Sequence, residues 1–213
     1  MEAMTGKSKH QEGGPLIDYF VATVPKKGES ISGDRSLVTC EEERCLLAAI
    51  DGLGHGDEAA AAAERAIATL AAHSRESLLL LMRRCHEALH GTRGVVMTLA
   101  TINAKEDTMT WLGVGNVEGV LFRADPTATP AREEAMLRGG VVGYQIPQLR
   151  ASVISMSKGD TLMFATDGIY TGFADTVRLS DSPQQIAEHI CAHNKKETDD
   201  ALVLVVRYHG LQG

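Results

Sequence analysis

Residues 95–103, 108–114 and 117–123 are three apolar, strand-like runs separated only by the polar turn AKED and by Gly115-Asn116. A parallel connection needs a crossover of about a dozen residues or more. Connections this short read as hairpins of an antiparallel sheet. The remaining elements fit the same plan. Residues 16–24 form a strand ended by Pro25 and the turn-like KKGES, and residues 35–40 and 44–50 flank three solvated glutamates. Residues 57–72 are Ala-rich, with Ala63, Ile67, Leu70 and Ala71 at helical spacing. Residues 77–90 form a second helix that Gly91 stops. Residues 125–138 read as a surface excursion, and strands at 150–156 and 161–166 flank the turn Ser157-Lys158-Gly159-Asp160. The helix 183–193 opens with Ser182, Pro183 and Gln185, the residues of a capping box. A last strand covers 201–208. Helices therefore come in blocks rather than alternating with strands. That disfavours a Rossmann-type sheet and predicts an α+β chain of antiparallel sheets covered by helices.

With 213 residues, of which 44% are hydrophobic, the chain suits one domain with a sizeable core. Aromatics are only 4%, so the core must be aliphatic. The expected division is a flexible segment over residues 1–15 and a single domain over 16–213. A formal net charge of -7 argues against a nucleic-acid partner, which would call for a basic patch. No apolar run is long enough to span a membrane. Cys40, Cys45, Cys85 and Cys191 contain no C-x-x-C pair. They read as core thiols of a reducing compartment, so a cytoplasmic location is expected.

Aspartates recur at strand ends. Asp34 precedes the strand 35–40 and Asp51 follows the strand 44–50. If the two strands pair around the glutamates, facing residues sum to about 85, and Asp34 meets Asp51. Asp167 follows the strand 161–166, and Asp199-Asp200 precede the last strand. Any one Asp-Gly step is an ordinary turn; the joint pattern is what points to a site. Carboxylates gathered together raise one another's pKa or bind a cation. Oxygen donors of this kind suit Mg²⁺ or Mn²⁺ better than Zn²⁺. In Asp51-Gly52-Leu53-Gly54-His55-Gly56 the glycines permit positive φ and close backbone approach, so a carbonyl such as that of Gly52 could reach a metal.

Gly33-Asp34, the DGLGHG segment 51–56, Thr166-Asp167-Gly168 and Thr198-Asp199-Asp200 before ALVLVV occur in an order that resembles the metal-dependent protein phosphatases of type 2C, the PPM family. The segment 112–123 resembles that family's central strand pair. The short chain is most similar to the SpoIIE-like bacterial branch and its stressosome feedback phosphatases. The resemblance implies an α-β-β-α sandwich of two antiparallel sheets flanked by helices. It implies two divalent cations, Mn²⁺ or Mg²⁺, with Asp51 bridging them, the Gly52 carbonyl on one, and Asp167 and Asp199 on the other. Asp199 is favoured over Asp200. Asp34 would act directly or through a water, so that Asp34 and Asp51 are the catalytic carboxylates. The implied reaction is hydrolysis of phosphoserine or phosphothreonine by a water activated between the metals. The implied substrates are phosphorylated STAS-domain proteins of a stressosome-like complex. Leu53 stands where eukaryotic members carry a histidine, and their phosphate-gripping arginine has no match here.

Two other readings compete. His86-Glu87-Ala88-Leu89-His90 matches H-E-x-x-H, a zinc-peptidase motif on a helix. It is short enough to arise by chance, and no third ligand stands out downstream. A non-catalytic phosphoprotein-binding module on the same fold is the other alternative, motivated by the missing phosphate-gripping group.

Overall fold

The computed structural model describes residues 9–10 and 16–211. The expectation of a flexible segment over 1–15 falls, apart from 9–10, outside them. The strands are β1 (Lys9–His10), β2 (Ile17–Val24), β3 (Asp34–Glu41), β4 (Arg44–Gly52), β5 (Val95–Asn103), β6 (Thr108–Val114), β7 (Glu118–Phe122), β8 (Arg132–Glu134), β9 (Leu137–Arg138), β10 (Ser152–Ser155), β11 (Thr161–Ala165) and β12 (Ala201–Tyr208). The helices are α1 (Asp57–Ala72), α2 (Leu78–Ala88) and α3 (Pro183–Asn194). One sheet runs β1-β2-β12-β11-β7-β8 and the other β10-β6-β5-β4-β3, with β9 beside β6.

Strand periodicity builds the layers. In β4, Cys45, Leu47 and Ala49 enter a core shared with Leu162, Phe164, Leu202 and Leu204 of the other sheet. The alternate residues Leu46, Ala48 and Ile50 pack beneath α1 and α2 against Ala63, Leu70 and Leu81. In β12, Ala201, Val203 and Val205 instead meet Ile186, Ala187 and Ile190 of α3. Both faces of each central strand are thus buried, which explains why β4 and β12 read as continuous apolar runs. The result is the expected α-β-β-α sandwich. The capping box of α3 forms: Gln185 N–H donates to Ser182 Oγ at 3.3 Å and Ser182 N–H to Gln185 Oε1 at 3.0 Å.

Three expectations need correction. The step at Gly115-Asn116 is not a hairpin: β6 pairs with β5 and β10, whereas β7 pairs with β11 and β8. The chain crosses there from one sheet to the other. Gly115 has φ 97°, and a Cβ on it would lie 2.2 Å from Val96 Cγ1. The excursion 125–138 contains the edge strand β8 and the short β9, which pairs parallel with β6. Its polar residues carry no apolar alternation, so main-chain pairing alone decides. Finally, Cys40 and Cys45 are not free thiols. They face each other across β3 and β4 and form a disulfide, leaving Cys85 and Cys191 free and buried. Forty plus forty-five obeys the same register that pairs Asp34 with Asp51, and the argument from thiols to a reducing compartment falls. Among the described residues no helix is long and apolar enough to cross a membrane.

Phe164 is fully buried between the sheets and sits opposite Gly119, where a Cβ would lie 3.0 Å from its ring. Phe164→Ala opens a void that the facing glycine cannot fill. It should cost about 3–5 kcal/mol of stability, seen as a lower urea midpoint with an unchanged slope.

Candidate metal centre

The β3–β4 hairpin sets Asp34 directly opposite Asp51. Asp51 continues the odd-numbered series Cys45, Leu47, Ala49, so by strand alternation it faces the space between the sheets. The facing sheet contributes the residues just outside its own strands. Asp167 follows β11 by one residue beyond Thr166, and Asp199-Asp200 immediately precede β12. The sandwich ends here in a cleft of about 530 Å³ lined by Asp51, Asp167 and Asp199, together with Lys26, His55 and Asn116.

The expected residues take different places. Asp34 is buried behind the cleft wall, where its Oδ2 accepts a 2.8 Å hydrogen bond from Thr166 Oγ1. Asp200 is turned away from the cleft. Its Oδ1 accepts from Lys26 N–H and its Oδ2 from Gly33 N–H, both at 2.7 Å. That leaves Asp199 as the member of the pair that lines the cleft. Gly52 ends β4 under α1, where a Cβ would lie 2.2 Å from the Ala59 carbonyl. A Cβ on Gly168 would lie 1.7 Å from the Asp200 carbonyl. Both Asp-Gly steps are therefore fixed by a neighbouring backbone passing too close for any side chain. Positive φ is confined to Gly54 and Gly56 within the 51–56 turn.

Asn116 and Lys26 are functional candidates that turn-like sequence context conceals. Asn116 Nδ2 donates to Asp167 Oδ2 at 2.9 Å. It reaches the cleft because Gly115-Asn116 is the corner between sheets, which only the pairing of β6 and β7 with different partners reveals. Lys196 Nζ holds the Asp167 carbonyl at 2.6 Å. Gly139 and Gly140 also line the cleft; nothing in the sequence marks them.

Burial pushes the Asp34 carboxyl well above its ordinary value, and the charge of Asp51 adds to this against the opposing bond from Thr166. Burial also pushes Asp51 up to about 8, helped by Asp167, Asp199 and Asp200. Asp199 is raised mainly by burial. Such a cluster is electrostatically incomplete without a counter-charge. Its donors are all hard oxygens, which suits Mg²⁺ or Mn²⁺. Among the described residues no group of three or more acidic, histidine or cysteine side chains is drawn together closely enough to hold a metal ion as it stands.

The H-E-x-x-H reading does not survive. His86 Nδ1 accepts a 3.0 Å hydrogen bond from Gly143 N–H. A neutral imidazole accepting there carries its proton on Nε2 and has no lone pair left for zinc.

A family model described as stage II sporulation protein E (SpoIIE) matches residues 41–209. The chain belongs to the SpoIIE family. It is accordingly an enzyme of the PPM phosphatase type. Asp51, Asp167 and Asp199 lie inside the SpoIIE match, and Asp34 lies just before it. The phosphoserine phosphatase RsbX of Bacillus subtilis is 24% identical over 190 residues, which cover 86% of this chain and 91% of RsbX. A solved structure from work on the bacterial stressosome as a modular system controlling secondary messenger signalling is 29% identical. It superposes with a TM-score of 0.82 over 90% of this chain and 99% of its own. A crystal structure of RsbX in complex with magnesium superposes at 0.83, with 20% identity, over 96% of this chain and 100% of its own.

The raised Asp51 carboxyl has a consequence for stability. Between its ordinary value of 3.8 and about 8 the metal-free folded protein keeps a proton there that the unfolded chain has released. Stability must then fall as pH rises through that window and level off above it. Urea unfolding without metal should show this decline. Asp51→Asn should weaken it and make the metal-free protein more stable at pH 8, and added Mg²⁺ should raise wild-type stability most at the alkaline end.

Proposed function

We propose that this chain is a metal-dependent protein serine/threonine phosphatase. We propose as its substrates phosphoserine and phosphothreonine on STAS-domain proteins of a stressosome-type complex. The observation that carries the reading is the convergence of Asp51, Asp167 and Asp199 on one cleft, from strands of both sheets. Asp51, Asp167 and Asp199 would hold two divalent cations, with Asp34 acting behind Asp51. When bound, such cations supply Lewis acidity and lower the pKa of an attacking water.

The remaining chemistry belongs to the chain. Asn116 fixes one oxygen of Asp167 by its 2.9 Å bond. Asp200 holds the 26–33 loop by two backbone bonds and so fixes the wall beside Asp199. Leu53 lines the cleft where an ionisable side chain could have stood; the leaving oxygen would then take its proton from water. The substrate class is supported by the name of RsbX, a phosphoserine phosphatase, and by the stressosome setting of the 29% identical structure.

The test is turnover of p-nitrophenyl phosphate and of a serine-phosphorylated STAS protein with Mn²⁺ or Mg²⁺. Asp51→Asn should lower kcat/KM by roughly a hundredfold or more, because metal assistance supplies several kcal/mol of transition-state stabilisation. Its circular dichroism should match the wild type. Undiminished turnover in Asp51→Asn would sink the assignment of the site. Hydrolysis of the small ester but not of the phosphorylated STAS protein would sink the substrate class alone.

A further inference from the structure

A phosphate ester entering this cleft carries two negative charges into a wall of three carboxylates. Cations balance part of that charge, but the cleft also contains positive charge of its own. Among the described residues that line it, Lys26 and His55 are the ones that can be cationic. His55 is engaged at the lip, with Nδ1 3.0 Å from Glu29 Oε1. Among the described residues, Lys26 has no carboxylate within ion-pair distance and no hydrogen-bond partner for its ammonium.

Its backbone, by contrast, is pinned. Lys26 N–H donates to Asp200 Oδ1 at 2.7 Å, and Glu29 N–H donates to the Lys26 carbonyl at 3.0 Å. Asp200 is 3% exposed and binds the far end of the same loop at Gly33. A buried carboxylate thus fixes the base of a side chain whose ammonium makes no hydrogen bond or ion pair among the described residues, while its charge is felt by Asp199 beside it in the cleft. The neighbouring Lys27 points outward, 78% exposed, with Nζ 3.7 Å from Glu197. A lysine ammonium is a compact charge with three donors, suited to the oxygens of a phosphoryl group.

We infer that Lys26 is the substrate-binding cation of this enzyme, its ammonium donating to the non-bridging oxygens of the phosphoryl group. The inference rests on the phosphatase reading of the cleft. It makes Asp200 the positioning residue of Lys26.

The test uses the full chain with Mg²⁺ and inorganic phosphate as the probe. Acylation of lysines by an amine-reactive ester is followed by peptide mass spectrometry, with Lys27 as the internal control. Phosphate should slow labelling of Lys26 about tenfold and leave Lys27 unchanged, since a charge-assisted hydrogen bond is worth roughly that factor or more. Equal effects on both lysines, or none on either, overturn the inference. In a kinetic arm, Lys26→Met should raise both KM for p-nitrophenyl phosphate and Ki for phosphate roughly ten- to hundredfold. The change in kcat should be smaller, and Lys26→Arg should restore much of the loss. An unchanged KM and Ki in Lys26→Met overturn the inference too. A wild-type protein without turnover counts against the phosphatase reading alone, because protection from labelling reports phosphate binding without catalysis.

Discussion

The hydroxyl of Thr166 ties the two sheets together at the end where the carboxylates meet. It donates to Asp34 Oδ2 at 2.8 Å and accepts from Leu202 N–H at the same distance. Asp34 belongs to one sheet and Leu202 to the other, so this one group spans the sandwich. A buried, unpaired carboxylate would be costly, and here its partner is supplied by the layer it must be fixed against. The separation of the sheets at the cleft, and hence the separation of Asp51 from Asp167 and Asp199, depends on that contact.

The same end of the molecule concentrates two opposed tendencies. Strand packing and the layering of three cores drive Asp34 and Asp51 out of water, which raises both carboxyls. Only part of the acidic cluster is neutralised within the chain. Asp200 is satisfied by two backbone N–H groups, and Asp167 receives one amide donor. Among the described residues Asp51 has no such partner, and the burial that stabilises the core leaves it the member most in need of a cation. Fold and chemistry are therefore in tension at Asp51, as expected where a structure trades stability for function.

Much of this was legible in the sequence, for reasons that can be named. The β3–β4 register follows from a tight turn of glutamates, so simple arithmetic places Asp34 opposite Asp51. The helices were legible because period and caps agree, as at Ser182 and Gln185. What could not be read is whatever depends on which sheet a strand joins. Gly115-Asn116 looks locally like a hairpin turn, yet β6 and β7 lie in different sheets. Asn116 was missed for that reason. Lys26 was hidden in an ordinary-looking KKGES turn, because its place depends on Asp200, which lies 174 residues away. The Cys40–Cys45 pair was within reach of the same arithmetic that found the aspartates. The spacing of the two cysteines matches no metal or redox motif, and only the strand register brings their thiols together.

The glycines and alanines beside the site complete the physical account. An Ala-rich helix is a poor source of buried apolar area, and leucines would add more. Its value is thinness. Ala59 of α1 packs so close that Gly52 tolerates no Cβ, and a Cβ on Gly33 would lie 3.0 Å from the Ala59 methyl and 3.3 Å from Asp200 Oδ2. Helix α1 and the end of β4 therefore meet backbone to backbone, and the Asp200-bound loop meets α1 through the single methyl of Ala59. No flexible side chain lies between them to absorb a displacement. A shift of α1 must move Gly52, and with it Asp51, or the loop that carries Lys26. Rigid contact of this kind preserves carboxylate geometry better than a larger but softer apolar interface would. It accounts for small residues on both sides of the junction, where hydrophobic burial alone would favour large ones.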